Sequence, residues 1–185
     1  MKPLAWIAMG LVVIVLVAPA GGYDLLANPV GWVLVLLGTS HAPLADHHRG
    51  PLRWVGGLAL VSSAVVWFPA VADALTDTDD SLAWAAELPQ VAFAALLCRA
   101  LADLAAGAGD TRSAGWLRTA GVLAVVAGVL PVVVLGGGVT SLADVAALVA
   151  RLAPLLLVVL LLSRAGRPWA VVPLPERLTR PPAAP

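Results

Sequence analysis

The sequence predicts an all-α bundle of six transmembrane helices with both termini in the cytoplasm, and three observations lead to this prediction. The chain has 185 residues, of which 61% are hydrophobic and 12% charged, whereas soluble domains carry about 25% charged residues. Its mean hydropathy is +0.95, and the apolar residues form six long runs. Basic residues occupy alternate connections between these runs. We therefore expect one membrane domain whose main partner is the lipid bilayer.

Composition also excludes several kinds of site. The formal net charge is zero, with 11 basic and 11 acidic residues, so nothing favours nucleic acid as a partner. Cys98 is the single cysteine, which excludes an internal disulfide and a multi-cysteine metal site. The sequence contains no nucleotide-binding P-loop, no metalloprotease helix motif and no C-x-x-C pair. We expect neither an enzyme nor a bound cofactor.

The apolar runs set the positions of the predicted helices. A helix that crosses a membrane needs about 20 apolar residues, because about 30 Å of hydrocarbon is spanned at about 1.5 Å per residue. Every run except the second approaches that length, and their continuous apolar character favours helices over the alternating strands of a barrel. The predicted spans are 4–20, 29–42, 54–72, 82–102, 116–135 and 142–163, within a domain of residues 1–163.

Charged residues on the connections predict the orientation. The N-terminus and the segments after the second, fourth and sixth runs are basic, with Lys2, Arg49, Arg53, Arg99, Arg112, Arg118, Arg164, Arg167, Arg177 and Arg180. The other connections hold acids and no base: Asp24, Asp73, Asp77, Asp79, Asp80 and Asp144. The positive-inside rule places both termini in the cytoplasm. A composition rich in Gly and Ala is typical of high-GC bacteria, so we expect a bacterial inner membrane.

The two ends of the chain need separate interpretations. Lys2, the first apolar run and Ala18-Pro19-Ala20 also fit a signal peptide with its cleavage site. We favour an uncleaved first helix, because the run is long enough to span. Residues 164–185 contain six prolines and four arginines. They predict a cytoplasmic tail without a helix, either disordered or lying on the membrane surface.

Glu87 is the most unusual residue of the apolar runs, because an acid inside a membrane is costly unless it is paired, protonated or facing water. Gln90 follows three residues later and extends the same polar stripe. Arg151 is the only base clearly inside a run, at a similar depth in the sixth. We predict a Glu87–Arg151 ion pair between the fourth and sixth helices. Asp144 lies two turns outward on the face of Arg151 and could join it.

All three histidines lie between the second and third runs, close to an aspartate. His and Asp are common metal ligands, but adjacent histidines are also frequent on loops that bind nothing. Pro43 and Gly50-Pro51 predict an irregular turn here. We therefore favour a solvated loop and keep a metal site as the alternative, with candidate ligands His41, Asp46, His47 and His48.

The connection between the first two runs carries a helix-start signal. Asn28 is a good N-cap and Pro29 suits the first turn, but a helix over residues 29–40 covers only about 18 Å. Either this helix runs on through His41 toward Asp46, or the residues before it dip into the outer leaflet. The second option makes Tyr23, Asp24 and Asn28 a partly buried outer cap.

Residues 23–38, YDLLANPVGWVLVLLG, resemble a segment of an uncharacterised group of small multi-span bacterial membrane proteins. In that group the segment follows the first helix. Its pattern is roughly D-[LI]-L-P-[DN]-x-[IV]-G-[WY], where x is any residue. Here Ala27 stands in place of the Pro and Asn28 in place of the usual Asp. The resemblance implies a membrane protein of the same kind and transfers no activity.

Two function hypotheses follow from these residues. The first is a non-enzymatic membrane protein that packs or scaffolds, as a subunit of a larger complex or as a homo-oligomer. The second is a small transporter or channel whose polar path includes Glu87, Gln90 and Arg151. The two hypotheses differ in one structural respect. A transporter requires these side chains to face a water-accessible cavity, whereas a scaffold buries them in a dry interface.

Overall fold

A computed structural model of the chain describes residues 2–16, 19–20, 23–24, 28–78, 80–137 and 140–171. These residues are almost entirely helical. The helices are α1 Pro3–Val15, α2 Asn28–His41, α3 Asp46–Val66, α4 Pro69–Thr78, α5 Asp80–Gly107, α6 Thr111–Gly137 and α7 Ala143–Arg164. Two-residue strands β1 Pro19–Ala20 and β2 Tyr23–Asp24 pair antiparallel. Short 3₁₀ turns occupy Thr140–Leu142 and Pro168–Ala170.

Six of these helices form a closed ring. Their order around it is α1, α2, α3, α5, α6 and α7, and α7 packs in turn on α1. Neighbouring helices run antiparallel, as the α5–α6 contact shows: a Cβ on Gly121 would meet Cys98, whereas one on Gly128 would meet Val91. Helix α4 lies outside the ring, against α5 and α3. Each ring helix therefore has two helical neighbours and one outward face.

Three helical segments are long and apolar enough to cross a membrane: Ser81–Gly107, Thr111–Val134 and Asp144–Arg164. A fourth is present if α3 and the following segment Pro69–Leu75, bent by 94° at the break between them, count as one span. Many large apolar side chains on the outward faces are exposed, as expected where lipid surrounds a bundle. Length and composition thus indicate a membrane protein with three or four such helices.

The first two helices are shorter than the predicted spans. Helix α1 ends at Val15, five residues before the predicted limit, because Leu16 turns to an extended backbone. Its 13 residues cover about 20 Å and the 14 residues of α2 about 21 Å, against about 30 Å of hydrocarbon. The prediction of six full-length spans is therefore not confirmed. Helix α2 stops at His41, so the option of a continuation toward Asp46 was wrong.

Helix α3 differs from its prediction at both ends. It begins at Asp46, eight residues before the predicted span, so His47 and His48 lie on a helix and not on an irregular loop. Asp46 suits the positive N-terminal end of the helix dipole, and Pro51 is accommodated inside the helix. At the other end the chain breaks before Pro69, because a proline disfavours helical geometry in the residue before it.

The centre of the ring is filled with apolar side chains from every ring helix. The largest fully buried side chains include Leu4, Ile7, Trp32, Val35, Leu52, Phe93, Leu97, Leu101, Leu117 and Leu161. Trp32 of α2 and Phe93 of α5 meet edge to face, with ring centroids 5.1 Å apart. In lipid such close packing, and not water exclusion, holds helices together. The described core is thus closed by side chains at its middle.

Glycines allow α1 and α2 to approach closely. A Cβ on Gly10 would lie 2.5 Å from the carbonyl oxygen of Gly31, and one on Gly38 would lie 2.9 Å from the carbonyl oxygen of Pro3. Real Cβ atoms do not come so near backbone atoms, so only glycine fits at these positions. Small residues play the same part in other membrane helix pairs. Helix α1 is therefore seated against α2 along its whole length.

The turn between α5 and α6 explains where α5 ends and where α6 begins. Gly109 has a φ of +81°, and the amide of Asp110 donates to the carbonyl of Ala105 at 2.9 Å, which is a Schellman ending. Asp110 then caps α6, because its Oδ1 accepts the amide of Ser113 at 3.0 Å. The indole of Trp169 donates to Asp110 Oδ2 at 3.1 Å.

The start of the C-terminal tail is therefore folded against the bundle. Trp169 reaches the α5–α6 turn, and Ala165 and Ala170 are buried. The described start of the tail contains no α-helix. It forms a 3₁₀ turn and does not lie loose on the membrane surface. The expectation for residues 172–185 lies outside the described residues.

We expect the contacts of Asp110 to make the stability of the folded protein decrease at acid pH. The hydroxyl and amide of Ser113, the Trp169 indole and the charge of Arg167 lower the Asp110 pKa to about 2 from an ordinary 3.8. A depressed carboxyl pKa stabilises the folded state above about pH 4, and this contribution is lost as the pH falls from about 4 to 2. Asp110→Asn should lower the melting temperature at neutral pH and have little effect near pH 2.

Melting curves in detergent across this pH range would measure the effect. Asp144→Asn is the control, because the exposed Asp144 forms no hydrogen bond within the described part of the chain. A constant difference between wild type and Asp110→Asn at all pH values would contradict the expectation.

Candidate functional site

A polar cavity of about 220 Å³ opens where α3 ends and α5 begins. We refer to it as the Glu87 cavity. Helix α2 contributes its first residue, α3 its last turns, α4 one side chain and α5 its first turns. The lining residues within the described chain are Asn28, Ser63, Val66, Trp67, Leu75, Ala83, Ala86, Glu87 and Gln90.

The structure brings together some of the residues that the sequence singled out. Glu87 and Gln90 lie three residues apart on α5 and face the same cavity, as the helical period predicts. Asn28, predicted as the start of α2 and as part of an outer cap, joins them from the opposite wall. Glu87 is itself exposed, so the cavity communicates with the molecular surface.

Arg151 and Asp144 are placed elsewhere. Both are exposed on α7, whose main neighbours are α6 and α1. Within the described residues Glu87 and Arg151 form no ion pair. Arg49 pairs with Asp46 and Arg167 with Asp110, and His48 contacts Asp103. Equal depth along the helices therefore did not bring Glu87 and Arg151 together, because α6 lies between α5 and α7 in the ring.

Two polar atoms in the wall of the Glu87 cavity are buried without a hydrogen-bond partner. They are Ser63 Oγ and Asn28 Oδ1. Ser63 is only 6% exposed, and its neighbour Ser62 shows the usual alternative, donating to the carbonyl of Ala59 at 3.1 Å. An unpartnered buried polar group costs about 1–3 kcal/mol. After a small rotation of either side chain, a ligand or water in the cavity would supply the missing partner.

The floor of the cavity is closed and mainly apolar, with Trp32 Nε1 as a buried donor that has no partner among the described residues. One helical turn inward from Asn28 and Ser63 lie Trp32 and Ala59, and three residues beyond Gln90 lies Phe93. These three residues are at most 2% exposed. The described structure therefore has no open polar path from the Glu87 cavity through the ring.

The cavity has the size and chemistry of a small-solute site. Its volume equals that of about seven water molecules at about 30 Å³ each. Polar atoms converge from Asn28, Ser63, Glu87 and Gln90, while the remaining wall is apolar or aromatic. Small-molecule sites commonly combine a mostly apolar lining with a few placed polar groups.

The predicted histidine cluster lies at the opposite end of α3. His47, His48 and Arg99 line a separate cavity of about 210 Å³, the His48 cavity. His48 Nε2 contacts Asp103 Oδ2 at 3.2 Å, which ties α3 to α5.

The four candidate metal ligands of this region are not gathered around one point. Among the described residues no three His, Cys, Asp or Glu side chains are placed to hold a metal ion. His41 instead contacts the carbonyl of Leu37 through Nδ1 at 2.8 Å. Asp46 is 3.5 Å from the guanidinium of Arg49.

The predicted outer cap is only partly described. Tyr23 and Asp24 form β2, with Tyr23 opposite Ala20 and Asp24 opposite Pro19. This short hairpin leads from α1 toward α2. Residues 25–27 lie outside the described residues. They include Leu25 and Leu26, part of the segment before α2 that was expected to dip into the outer leaflet.

Sequence reasoning missed two members of the site. Nothing in the local sequence separates Ser63 from Ser62, and only the packing of α3 decides that Ser63 lines the cavity. Trp67, just after the end of α3, also lines the cavity. The only available signal was that Ser63 and Trp67 are four residues apart and so share a helical face.

Comparison with known proteins gives no relative from which a function can be transferred. No protein-family model matches the chain, no curated protein matches it, and no solved structure matches it.

We expect Ser63→Ala to stabilise the ligand-free protein. The substitution removes a buried hydroxyl that has no partner, and it keeps the size of the side chain nearly unchanged. Relief of about 1 kcal/mol is expected, visible as a rise in melting temperature in detergent. Ser62→Ala, which removes a bonded hydroxyl, is the matched control and should not stabilise. A lower melting temperature for Ser63→Ala than for Ser62→Ala would contradict this account.

Proposed function

We propose that the chain is a small transporter of the bacterial inner membrane that binds a hydrophilic solute in the Glu87 cavity. The observation that carries the proposal is the convergence of polar groups from three helices on one accessible cavity. Glu87, Gln90 and Asn28 meet there, together with the unpartnered hydroxyl of Ser63. A purely structural interface would instead be expected to pair such groups with one another.

The proposal includes the orientation expected from the charges. With both termini in the cytoplasm, the Glu87 cavity lies in the outer half of the protein and the His48 cavity at the inner end. All six ring helices then pass into or through the bilayer, with α1 and α2 shorter than its hydrocarbon core. Helix α1 contacts both α2 and α7, so removing it as a signal peptide would open the ring. This supports an uncleaved first helix.

The closed floor fits one state of a transport cycle. A carrier exposes its site to one side at a time, and here Trp32 and Phe93 separate the two cavities. Both cavities flank the contact between α3 and α5. A displacement of these two helices past each other would open the inner side. In this proposal, the arrangement with the Glu87 cavity open to the surface corresponds to the outward-accessible state.

Cysteine labelling tests whether the cavity faces water outside the cell. Cys98 is fully buried and is the chain's only cysteine, so Cys98→Ala provides a background. In that background, Ala86→Cys and Gln90→Cys, at half-buried positions of the cavity wall, should react with a membrane-impermeant methanethiosulfonate reagent added to intact cells. Ala59→Cys, one turn inward and 0% exposed, is the matched control and should react only after denaturation.

Two results of this experiment would contradict the proposal. If neither cavity position reacts in purified protein, the cavity is not accessible to water. If both react only in inverted vesicles, the orientation is the reverse of the one proposed. Equal reaction at Ala59→Cys would show that labelling does not report the cavity.

A second candidate function is a subunit or scaffold in a larger assembly, and the position of Arg151 favours it. Arg151 is exposed on the outward face of α7 among Leu148, Leu152 and Leu155, which are also exposed. A cation on a lipid-facing surface costs about 3 kcal/mol or more. A second chain that supplied an acid at this position would remove the cost.

Native mass spectrometry in a mild detergent tests this candidate. We expect a complex with a second chain, either a copy or another protein, that is lost on Arg151→Ala. Arg118→Ala is the matched control, because Arg118 is exposed near the inner end of α6. A wild-type protein that is monomeric under all conditions would exclude the candidate.

A further inference from the structure

We infer that the ligand of the Glu87 cavity is a small organic cation, such as a protonated alkylamine. This inference rests on the proposed function, because it names the class of solute that the same cavity binds. It is carried by the geometry of the cavity wall and by the charges around it.

Each polar side chain of Asn28, Ser63, Glu87 and Gln90 in the wall offers at least one hydrogen-bond acceptor, and none of them carries a positive charge. Glu87 provides the only formal charge among the described lining residues, and it is negative. Asn28 Oδ1 and Ser63 Oγ are buried and unpartnered, and Ser63 is more than nine-tenths buried. An ammonium group carries donors and no acceptor. It would satisfy a carboxylate and two neutral oxygens at once.

The charged residues of the helical segments that form the cavity have the same negative sign as Glu87. No Lys or Arg occurs between residues 54 and 98, the stretch that forms most of α3, all of α4 and the first half of α5. Helix α4, which contributes Leu75 to the wall, also carries Asp73 and Asp77. Carboxylates on a helix that borders a cavity attract cations toward it. Anions are therefore disfavoured on approach as well as on binding.

The remaining wall indicates an organic cation and not a bare metal ion. The volume of about 220 Å³ far exceeds that of a dehydrated ion, whose oxygen ligands would have to lie within about 2.6 Å. Val66, Ala83 and Ala86 provide apolar surface for a short hydrocarbon body. The indole of Trp67 offers an aromatic face, which attracts ammonium groups.

Titration calorimetry of the full chain in nanodiscs of zwitterionic lipid tests the inference with three probes of one size. These are n-butylammonium, n-butanol and n-butyrate, near neutral pH and at constant salt. We expect n-butylammonium to bind most tightly and n-butyrate not to bind. Glu87→Gln should weaken n-butylammonium at least about tenfold, because a charge-assisted hydrogen bond is lost. Ser63→Ala keeps all charges and should weaken it about threefold or more.

Asp144→Asn is the matched control, because it removes an acid that does not line the cavity. Its affinity for n-butylammonium should equal that of the wild type. The folded state of each variant is checked by its melting temperature, and Ser63→Ala should bind more weakly although it is the more stable protein. A merely structural role for Ser63 would not separate these two readouts.

Several outcomes would overturn the inference. If n-butanol or n-butyrate binds as tightly as n-butylammonium, or if Glu87→Gln has no effect, the cavity takes a solute but does not select cations. If sodium chloride produces the same Glu87-dependent signal, the ligand is inorganic. Absence of binding by all probes also overturns the inference, whereas the labelling of Gln90→Cys decides separately whether the cavity is accessible to water.

Discussion

The arrangement of the ring depends on the close approach of α3 and α5 at Gly56. A Cβ there would lie 2.9 Å from the ring of Phe93 and 2.7 Å from Leu36, so a larger residue would displace these two side chains from their present positions. Phe93 then meets Trp32 edge to face. This apolar contact closes the middle of the ring. The Glu87 cavity lies on one side of it along the α3–α5 contact, and the His48 cavity lies on the other.

The two ends of α5 illustrate how structural and functional polar groups differ. At the end near α6, Asp110 accepts hydrogen bonds from Ser113 and Trp169 and lies close to Arg167. Its hydrogen-bonding capacity is used within the protein, as expected of a group that holds a turn in place. At the other end, Ser63 and Asn28 have oxygens without a partner beside Glu87. Such groups are costly in the empty protein, and binding of a ligand would offset that cost.

Much of the fold could be predicted from the sequence, and the errors have identifiable causes. The helices α5, α6 and α7 contain the predicted runs, because a continuous apolar stretch of about 20 residues has few other structures available in lipid. The ends of α1 and α3 were less predictable. A hydropathy profile does not show that the backbone becomes extended at Leu16. Nor does it show that α3 accommodates Pro51 and so begins at Asp46.

The sequence by itself determined an apolar helical chain, the depth of Glu87 and the shared face of Glu87 and Gln90, because depth and face follow from helical rise and period. Tertiary structure alone decided which residues surround Glu87. Position along a helix does not specify position around the ring, so Arg151 of α7, which was expected at the depth of Glu87, is separated from it by α6. Asn28 and Ser63, which no sequence pattern links to Glu87, meet it because α2 and α3 pack beside α5.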